Sequence, residues 1–283
     1  MKIGVTGATG KLGRIVIEKL KERVSSESIV ALVRTPEKAS SLGVEARTFD
    51  YSKPKALADS LKGIDSLLLI SSNEIGQRIQ QHANVIEAAK QAGVKRIVYT
   101  SLLHADRSTL NLAEEHLATE STLKASGIPY TILRNSWYTE NYTGSIPGAI
   151  GAGALIGSAG DGKIASAARV DYAEAAAAVV LTSEGHANKV YELAGDDAYT
   201  LTDLAAEVSR QIGKNIPYNN LPEAEYVNIL KKMNLPEALA LSIVSWDVGA
   251  SKNDMFDDAH QLSKLIGRPT TPLAKVVADA IAG

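Results

Sequence analysis

The stretch KIGVTGATGKLGRIVIEKL sets a short apolar run against an amphipathic helix pattern, with Gly7, Gly10 and Gly13 between them. Nothing else in the chain constrains its fold as much. Gly7 permits a tight turn at the strand end, Gly10 leaves the backbone bare, and Gly13 lets helix lie close against strand. A helix beginning there presents unpaired N–H groups and the positive end of its dipole. That is a place for a pyrophosphate, so Gly7, Ala8, Thr9, Gly10, Lys11, Leu12 and Gly13 are the candidate cradle of a dinucleotide. A glycine triplet alone is a weak signal. Its position after a strand and before a helix supplies the context.

The rest of the first half repeats that alternation. Apolar, β-branched runs at 3–6, 29–33, 44–49, 67–70, 97–100 and 130–133 predict strands. Helix-period segments at 12–24, 54–61, 79–92 and 112–125 separate most of them. Strands apolar at nearly every position suit a parallel sheet covered on both faces, and the alternation implies right-handed βαβ units. The expected fold is therefore α/β, a doubly wound parallel sheet of the NAD(P)-binding Rossmann type. Residues 1–143 are expected to form this core. Residues 144–162, rich in glycine and alanine, read as a loose substrate-side loop. Asp171 is expected to cap a helix over 172–181, and KVYELAG adds a strand. Helical patterns at 202–212, 223–233, 236–244 and 273–281 predict a smaller, mostly helical C-terminal lobe within 144–283, its boundary with the core diffuse.

Composition narrows the function. At 283 residues with a net charge of −2, the chain has no basic excess to suit nucleic acid or an anionic membrane. It has no cysteine, which removes thiolate metal sites and cysteine nucleophiles. The five histidines are scattered without ligand spacing, so no metal is expected. The start of the chain lacks a signal-peptide pattern, and a cytoplasmic protein is expected.

The second strand decides between the dinucleotides. NAD-binding proteins place an acid near its end for the ribose 2′-hydroxyl, but here ALVRTPEKA puts Arg34 there. A guanidinium can fork onto a 2′-phosphate, with Lys38 adding charge and Glu37 opposing it. NADPH is the expected cofactor. Ligands bind outside the carboxyl ends of the strands, which brings in Asp50 and Tyr51 for adenine, then Ser71, Ser72 and Asn73 for ribose and nicotinamide.

Taken together, VTGATGKLG, VALVR, LLLISS, RIVYTSLLHA, HLATE, IPYTILRNSWYTENY and KVYELAG resemble the NmrA-like, atypical short-chain dehydrogenase/reductases along essentially the whole chain. Within that family the resemblance is to the bacterial quinone-reducing branch, with triphenylmethane reductase as a sister enzyme. It implies that NSWYTENY lies along the nicotinamide side of the cleft, with Asn135 toward the cofactor. Trp137, Tyr138, Thr139, Glu140, Asn141, Tyr142 and Arg169 then fall on the substrate side. The aromatic members of this segment could equally be packing residues.

One departure matters. Ordinary members of the superfamily carry a Tyr-x-x-x-Lys pair, and the corresponding positions here are His116 and Glu120. The two candidates left for a catalytic part are His116, as a proton donor, and Ser101, at the superfamily's serine position. Reducing a simple ketone makes an alkoxide that needs an acid. A quinone yields a phenolate-like anion instead, with a conjugate acid of pKa about 10, which water can protonate. The expectation is direct hydride transfer from NADPH to a small-molecule quinone, without flavin, by a monomer or homodimer. Two alternatives stay open: another flat conjugated acceptor such as a triphenylmethane or azo dye, and a non-catalytic NADP(H)-sensing protein.

Overall fold

Apolar strands that leave no polar edge for solvent must be covered on both sides, and the chain arranges itself accordingly. The computed structural model describes residues 1–182 and 184–283. In chain order it opens with β1 (Ile3–Thr6), α1 (Lys11–Lys21), β2 (Ile29–Val33) and β3 (Glu45–Thr48). There follow α2 (Pro54–Ser60), β4 (Ser66–Leu69), α3 (Arg78–Gln91), β5 (Arg96–Leu102), α4 (Ala113–Ala125) and β6 (Tyr130–Asn135). Next come α5 (Thr139–Thr143), α6 (Ile146–Ala152), β7 (Leu155–Gly157), α7 (Arg169–Leu181) and β8 (Lys189–Leu193). The remainder is α8 (Leu201–Ile212), β9 (Tyr218–Asn220), α9 (Glu223–Lys232), α10 (Glu237–Ser251), α11 (Gln261–Ile266) and α12 (Leu273–Ala282).

Seven strands form one sheet in the order β3-β2-β1-β4-β5-β6-β8. The first six pair in parallel. The chain winds outward from β1 to β3, then returns to β1's other side with β4. That reversal is the switch point at which open α/β sheets bind ligands. Ile3 pairs with both Ile29 and Ser66, so the carboxyl ends of β1, β2 and β4 come level beside the glycine loop.

Burial follows the period of two. Val30, Leu32, Leu67, Leu69, Ile97, Tyr99 and Ile132 pack with Leu57 and Leu61 of the α2 region, Val85 and Ile86 of α3 and Leu123 of α4. The expected strand at 44–49 is the exception to the all-apolar pattern. β3 is an edge strand with Glu45 and Thr48 exposed, which blunts an otherwise sticky edge. At the start of β5 the buried Arg96 donates to Ser66 Oγ (2.9 Å) and to the carbonyls of Val179 (2.6 Å) and Thr182. It thereby satisfies carbonyls at the end of α7 that the helix leaves unpaired.

The chain divides into two compact units. The first comprises Met1–Asp106, Leu112–Asn135 and Arg169–Glu192 and holds the parallel sheet. The second comprises Arg107–Asn111, Ser136–Ala168 and Leu193–Gly283. It is mostly helical, with a two-stranded sheet in which β7 runs parallel to β9.

Two local expectations need correction. Residues 144–162 are not simply a loose loop, since they contain α6 and β7. Despite two internal glycines, α6 buries Ile146 and Ala149, begins with a proline in its first turn and stops at Gly153 with φ +81°. Burial of one face overrides weak helix propensity. Asp171 does not precede its helix: it lies inside the first turn of α7, fully buried.

Candidate active site

The glycine loop has the geometry of a bare phosphate cradle. Gly7 sits at φ +59°, and Gly10 N–H donates to the Gly7 carbonyl at 2.8 Å, closing the turn. A Cβ on Gly13 would lie 2.3 Å from Gly7 O and 2.7 Å from Ala8 Cα, so helix and strand can meet only at a glycine. A Cβ on Gly10 would meet, among the described residues, only Gly7 O, at 3.1 Å. Gly10 caps α1 without a side-chain bond, and the first turn carries no acid. Lys11, Leu12 and Gly13 therefore present their N–H groups to an anion, together with the helix dipole.

Arg34 follows β2, two-thirds exposed, and its Nη1 is 2.9 Å from Glu74 Oε1. Lys38 lies in a 3-10 helix spanning Pro36–Leu42, and its carbonyl accepts from Arg14 Nη2 at 3.5 Å. Arg14 also donates through Nε to the Thr9 carbonyl at 3.0 Å. It thus ties the glycine loop to the Lys38 segment, a role the sequence reading did not assign. Asp50 is engaged locally, accepting from Ser52 N–H at 3.1 Å with Lys53 3.5 Å away. The Tyr51 hydroxyl donates to the Ile70 carbonyl at 2.9 Å, so it braces β4.

The β4 end is held from beneath by a buried polar network. Ser71 N–H donates to Thr100 Oγ1 (2.9 Å), Ser72 N–H donates to His82 Nε2 (2.9 Å), and Arg78 Nε donates to the Ser72 carbonyl (2.6 Å). Asn73 is exposed. Because His82 Nε2 accepts, its proton is on Nδ1 and goes to Thr119 Oγ1 at 2.9 Å. The Thr119 hydroxyl in turn donates to the Glu115 carbonyl at 2.9 Å. The hydrogen bonds themselves assign this tautomer. Next to it, His116 Nδ1 is 2.8 Å from the hydroxyl of the fully buried Tyr99. Burial, reinforced by the charge of Arg78, pulls both imidazoles down to about 3. Both histidines are neutral, buried braces at any physiological pH.

Where the Tyr-x-x-x-Lys lysine would stand, Glu120 makes a two-pronged ion pair with Arg134. Nε to Oε1 and Nη2 to Oε2 are each 2.8 Å. Arg134 Nη1 also reaches Glu192 at 2.8 Å and Asp106 at 3.1 Å. Ser101 Oγ donates its proton to Glu120 Oε1 at 2.7 Å. With that proton committed, Ser101 can offer only lone pairs to a ligand. On the neighbouring strand end Asn135 is buried, and its Oδ1 has no hydrogen-bond partner among the described residues. An orphaned buried acceptor at a strand's carboxyl end is a place for a ligand N–H.

The segment implied to face substrate belongs to the second unit, except Arg169, which opens α7 in the first. Trp137 stacks at a tilt on Trp246, with ring centroids 5.3 Å apart. Tyr138 is the extended residue just before α5 and bridges to Ala167. Thr139 is buried, its hydroxyl 2.8 Å from Ser166 Oγ, which is 2.6 Å from the Tyr199 hydroxyl. Glu140 is half-buried and Asn141 exposed, while the Tyr142 hydroxyl points to Met255 Sδ at 3.5 Å. Beside Trp246, the carboxyl of Asp247 is buried and accepts from Ser158 N–H at 2.9 Å. Desolvation raises it to about 6.

The sequence reading therefore missed Arg14, Glu74, His82, Arg134 and Asp247. Arg134 did leave a signal: a charged residue inside a strand apolar on both faces must find a partner. Among the described residues no group of three or more His, Cys, Asp or Glu could hold a metal ion. Nor is any helix among them long and apolar enough to cross a membrane.

The profile of the NmrA-like family matches residues 1–274. The chain is 58% identical over 278 residues to Quinone oxidoreductase 2 of Escherichia coli (strain K12), covering 97% of each chain. A crystal structure of an NADPH-dependent quinone oxidoreductase from Escherichia coli complexed with NADPH matches with a TM-score of 0.96 at 56% identity, over 99% of both chains. The Citrobacter sp. triphenylmethane reductase complexed with NADP(H) matches with a TM-score of 0.94 at 40% identity, over 99% of this chain and 100% of that one.

Proposed function

The chain belongs to the NmrA-like family, and we propose that within it the protein is an NADPH-dependent quinone oxidoreductase working without flavin and without a protein acid. One observation carries the reading. The 58% identity to the Escherichia coli quinone oxidoreductase spans 97% of both chains, leaving neither the cradle nor the substrate-side segment outside the likeness.

The residues fit the nucleotide. The N–H groups at the head of α1 would hold the pyrophosphate, and Arg34 and Lys38 the 2′-phosphate. Asp50 would lie toward adenosine, and Ser71, Ser72 and Asn73 along ribose and nicotinamide. The orphaned Asn135 Oδ1 and the lone pairs of Ser101 would accept from the carboxamide. NADPH, when bound, supplies the hydride. What the chain adds is alignment, with Trp137, Tyr138, Glu140, Asn141, Tyr142 and Arg169 proposed to face the acceptor. Neither of the two catalytic candidates is a ready acid: Ser101 has committed its proton to Glu120, and His116 is buried with its imidazolium disfavoured. The product anion, conjugate to an acid of pKa about 10, takes its proton from water. On the same reading the protein acts in the cytoplasm as a monomer or homodimer.

Arg34→Ala is expected to weaken NADPH binding by about 1.5–3 kcal/mol, the range for hydrogen bonds to charged groups, and to leave NADH nearly unchanged. Titrating both nucleotides checks this, and equal losses would remove the 2′-phosphate assignment. His116→Gln is expected to keep most of its quinone-reducing turnover at neutral pH. A drop of about a hundredfold, the scale of general acid catalysis, together with loss of an inflection in the pH–rate profile, would make His116 the donor. The structural likeness to triphenylmethane reductase supports a second reading, a broader choice of flat acceptors. Comparing quinone with cationic dye turnover separates the two. Failure to oxidise NADPH with any acceptor would leave only a sensing role.

A further inference from the structure

Arg34, the residue that would receive the 2′-phosphate, already holds an anion. Its Nη1 donates to Glu74 Oε1 at 2.9 Å. The carboxylate is placed rather than loosely tethered: its other oxygen accepts from Gln81 Nε2 at 2.7 Å, and the Glu74 N–H donates to Ser72 Oγ at 3.1 Å. Gln81 is itself buried and fixed a second time on Ser52 Oγ at 3.2 Å. Glu74 thus stands at the β4 end facing the β2 end, held from α3. The cation in contact with it is Arg34, while Arg14 donates to the Lys38 and Thr9 carbonyls.

We propose that Glu74 is a specificity-determining residue whose carboxylate competes with the nucleotide's 2′-phosphate for Arg34 and so narrows the preference for NADPH over NADH. The proposal rests on the reading of Arg34 as the 2′-phosphate site. A phosphate arriving at that guanidinium meets a fixed like charge and must displace it from one of the donors it occupies. NADH brings no 2′-phosphate. Its ribose hydroxyl is a donor, and a carboxylate is an acceptor it can use, as acids near the second strand do in NAD-binding proteins. One guanidinium and one carboxylate in contact therefore favour the two cofactors by opposite routes.

The test is Glu74→Gln, which keeps the side chain's size and its bond to Arg34's neighbourhood but removes the charge. Dissociation constants for NADPH and NADH are measured by isothermal titration on the wild type, Glu74→Gln and Arg34→Ala, at low and at physiological salt. Removing the charge is expected to tighten NADPH about fivefold, the scale of an exposed charge pair, while NADH stays within about twofold or weakens. The gain should shrink with added salt. Unchanged or weaker NADPH binding in Glu74→Gln overturns the proposal, as does an equal gain for NADH. If Arg34→Ala itself leaves the NADPH-to-NADH ratio unchanged, it is the 2′-phosphate site that falls, and the two failures are told apart.

Discussion

Truncating Arg134 to alanine is expected to lower the stability of the protein by about 3–5 kcal/mol, the usual loss when one member of a buried ion pair is removed. The reason is Glu120, which is 1% exposed and takes both of its strongest bonds from that guanidinium. With Arg134 gone, the Ser101 hydroxyl is the one strong donor left to Glu120, and the Lys124 ammonium stands 3.5 Å off in the more exposed direction. A single hydroxyl does not offset the desolvation of a carboxylate. Urea denaturation would show the loss as a lower midpoint with little change in slope. Replacing both partners with apolar residues of similar volume, Arg134→Met with Glu120→Leu, should recover much of it, because the deeply buried charge is then gone, while Asp106 is exposed and Glu192 keeps the His104 N–H. A loss below about 1 kcal/mol in Arg134→Ala, the range of exposed pairs, would mean that water reaches Glu120 and that the network is not a dry one.

The second large effect is at Gly13. An alanine there would put its methyl carbon 2.3 Å from Gly7 O and 2.9 Å from Gly7 C. Those are backbone atoms of the turn that defines the cradle, so relief comes only by sliding α1 away from β1. Overpacking of this kind costs about 1–3 kcal/mol, sometimes more. The displaced helix N-terminus should also lose at least about tenfold in affinity for NADPH and NADH alike, since one charge-assisted bond alone exceeds about 1.4 kcal/mol. Gly10→Ala is the informative contrast. Its methyl would meet only Gly7 O at 3.1 Å, so the fold should be nearly intact while both nucleotides bind poorly. Wild-type affinity for both cofactors in Gly13→Ala, at unchanged melting temperature, would remove the phosphate-cradle reading.

Much of this was legible without coordinates because it is local. Strand Ile29–Val33 and the turn after Ile3–Thr6 follow from short apolar runs and from glycines that admit conformations other residues avoid. Arg34 is legible for the same reason, since its place at the end of the second strand is a matter of counting. The α6 helix was not legible, because glycine and alanine contribute little propensity and a buried face contributes the rest.

The partners across the sheet were the least visible. Ser101 and His116 could be named as candidates from the sequence, but their protons could not be followed. That Ser101's goes to Glu120, and that His116 lies neutral against Tyr99, depends on residues 14 to 19 positions apart brought together by β5, β6 and α4. The same holds for Glu74 on Arg34, 40 residues away. By itself, then, the amino-acid sequence determined the parallel sheet, the bare glycine turn and the cation at the second strand's end, since each rests on backbone conformation and spacing. Only the tertiary structure decided which side chains are charged, which protons are committed and which anion Arg34 holds, because burial and hydrogen-bond partners arise between distant segments and leave no period in the chain.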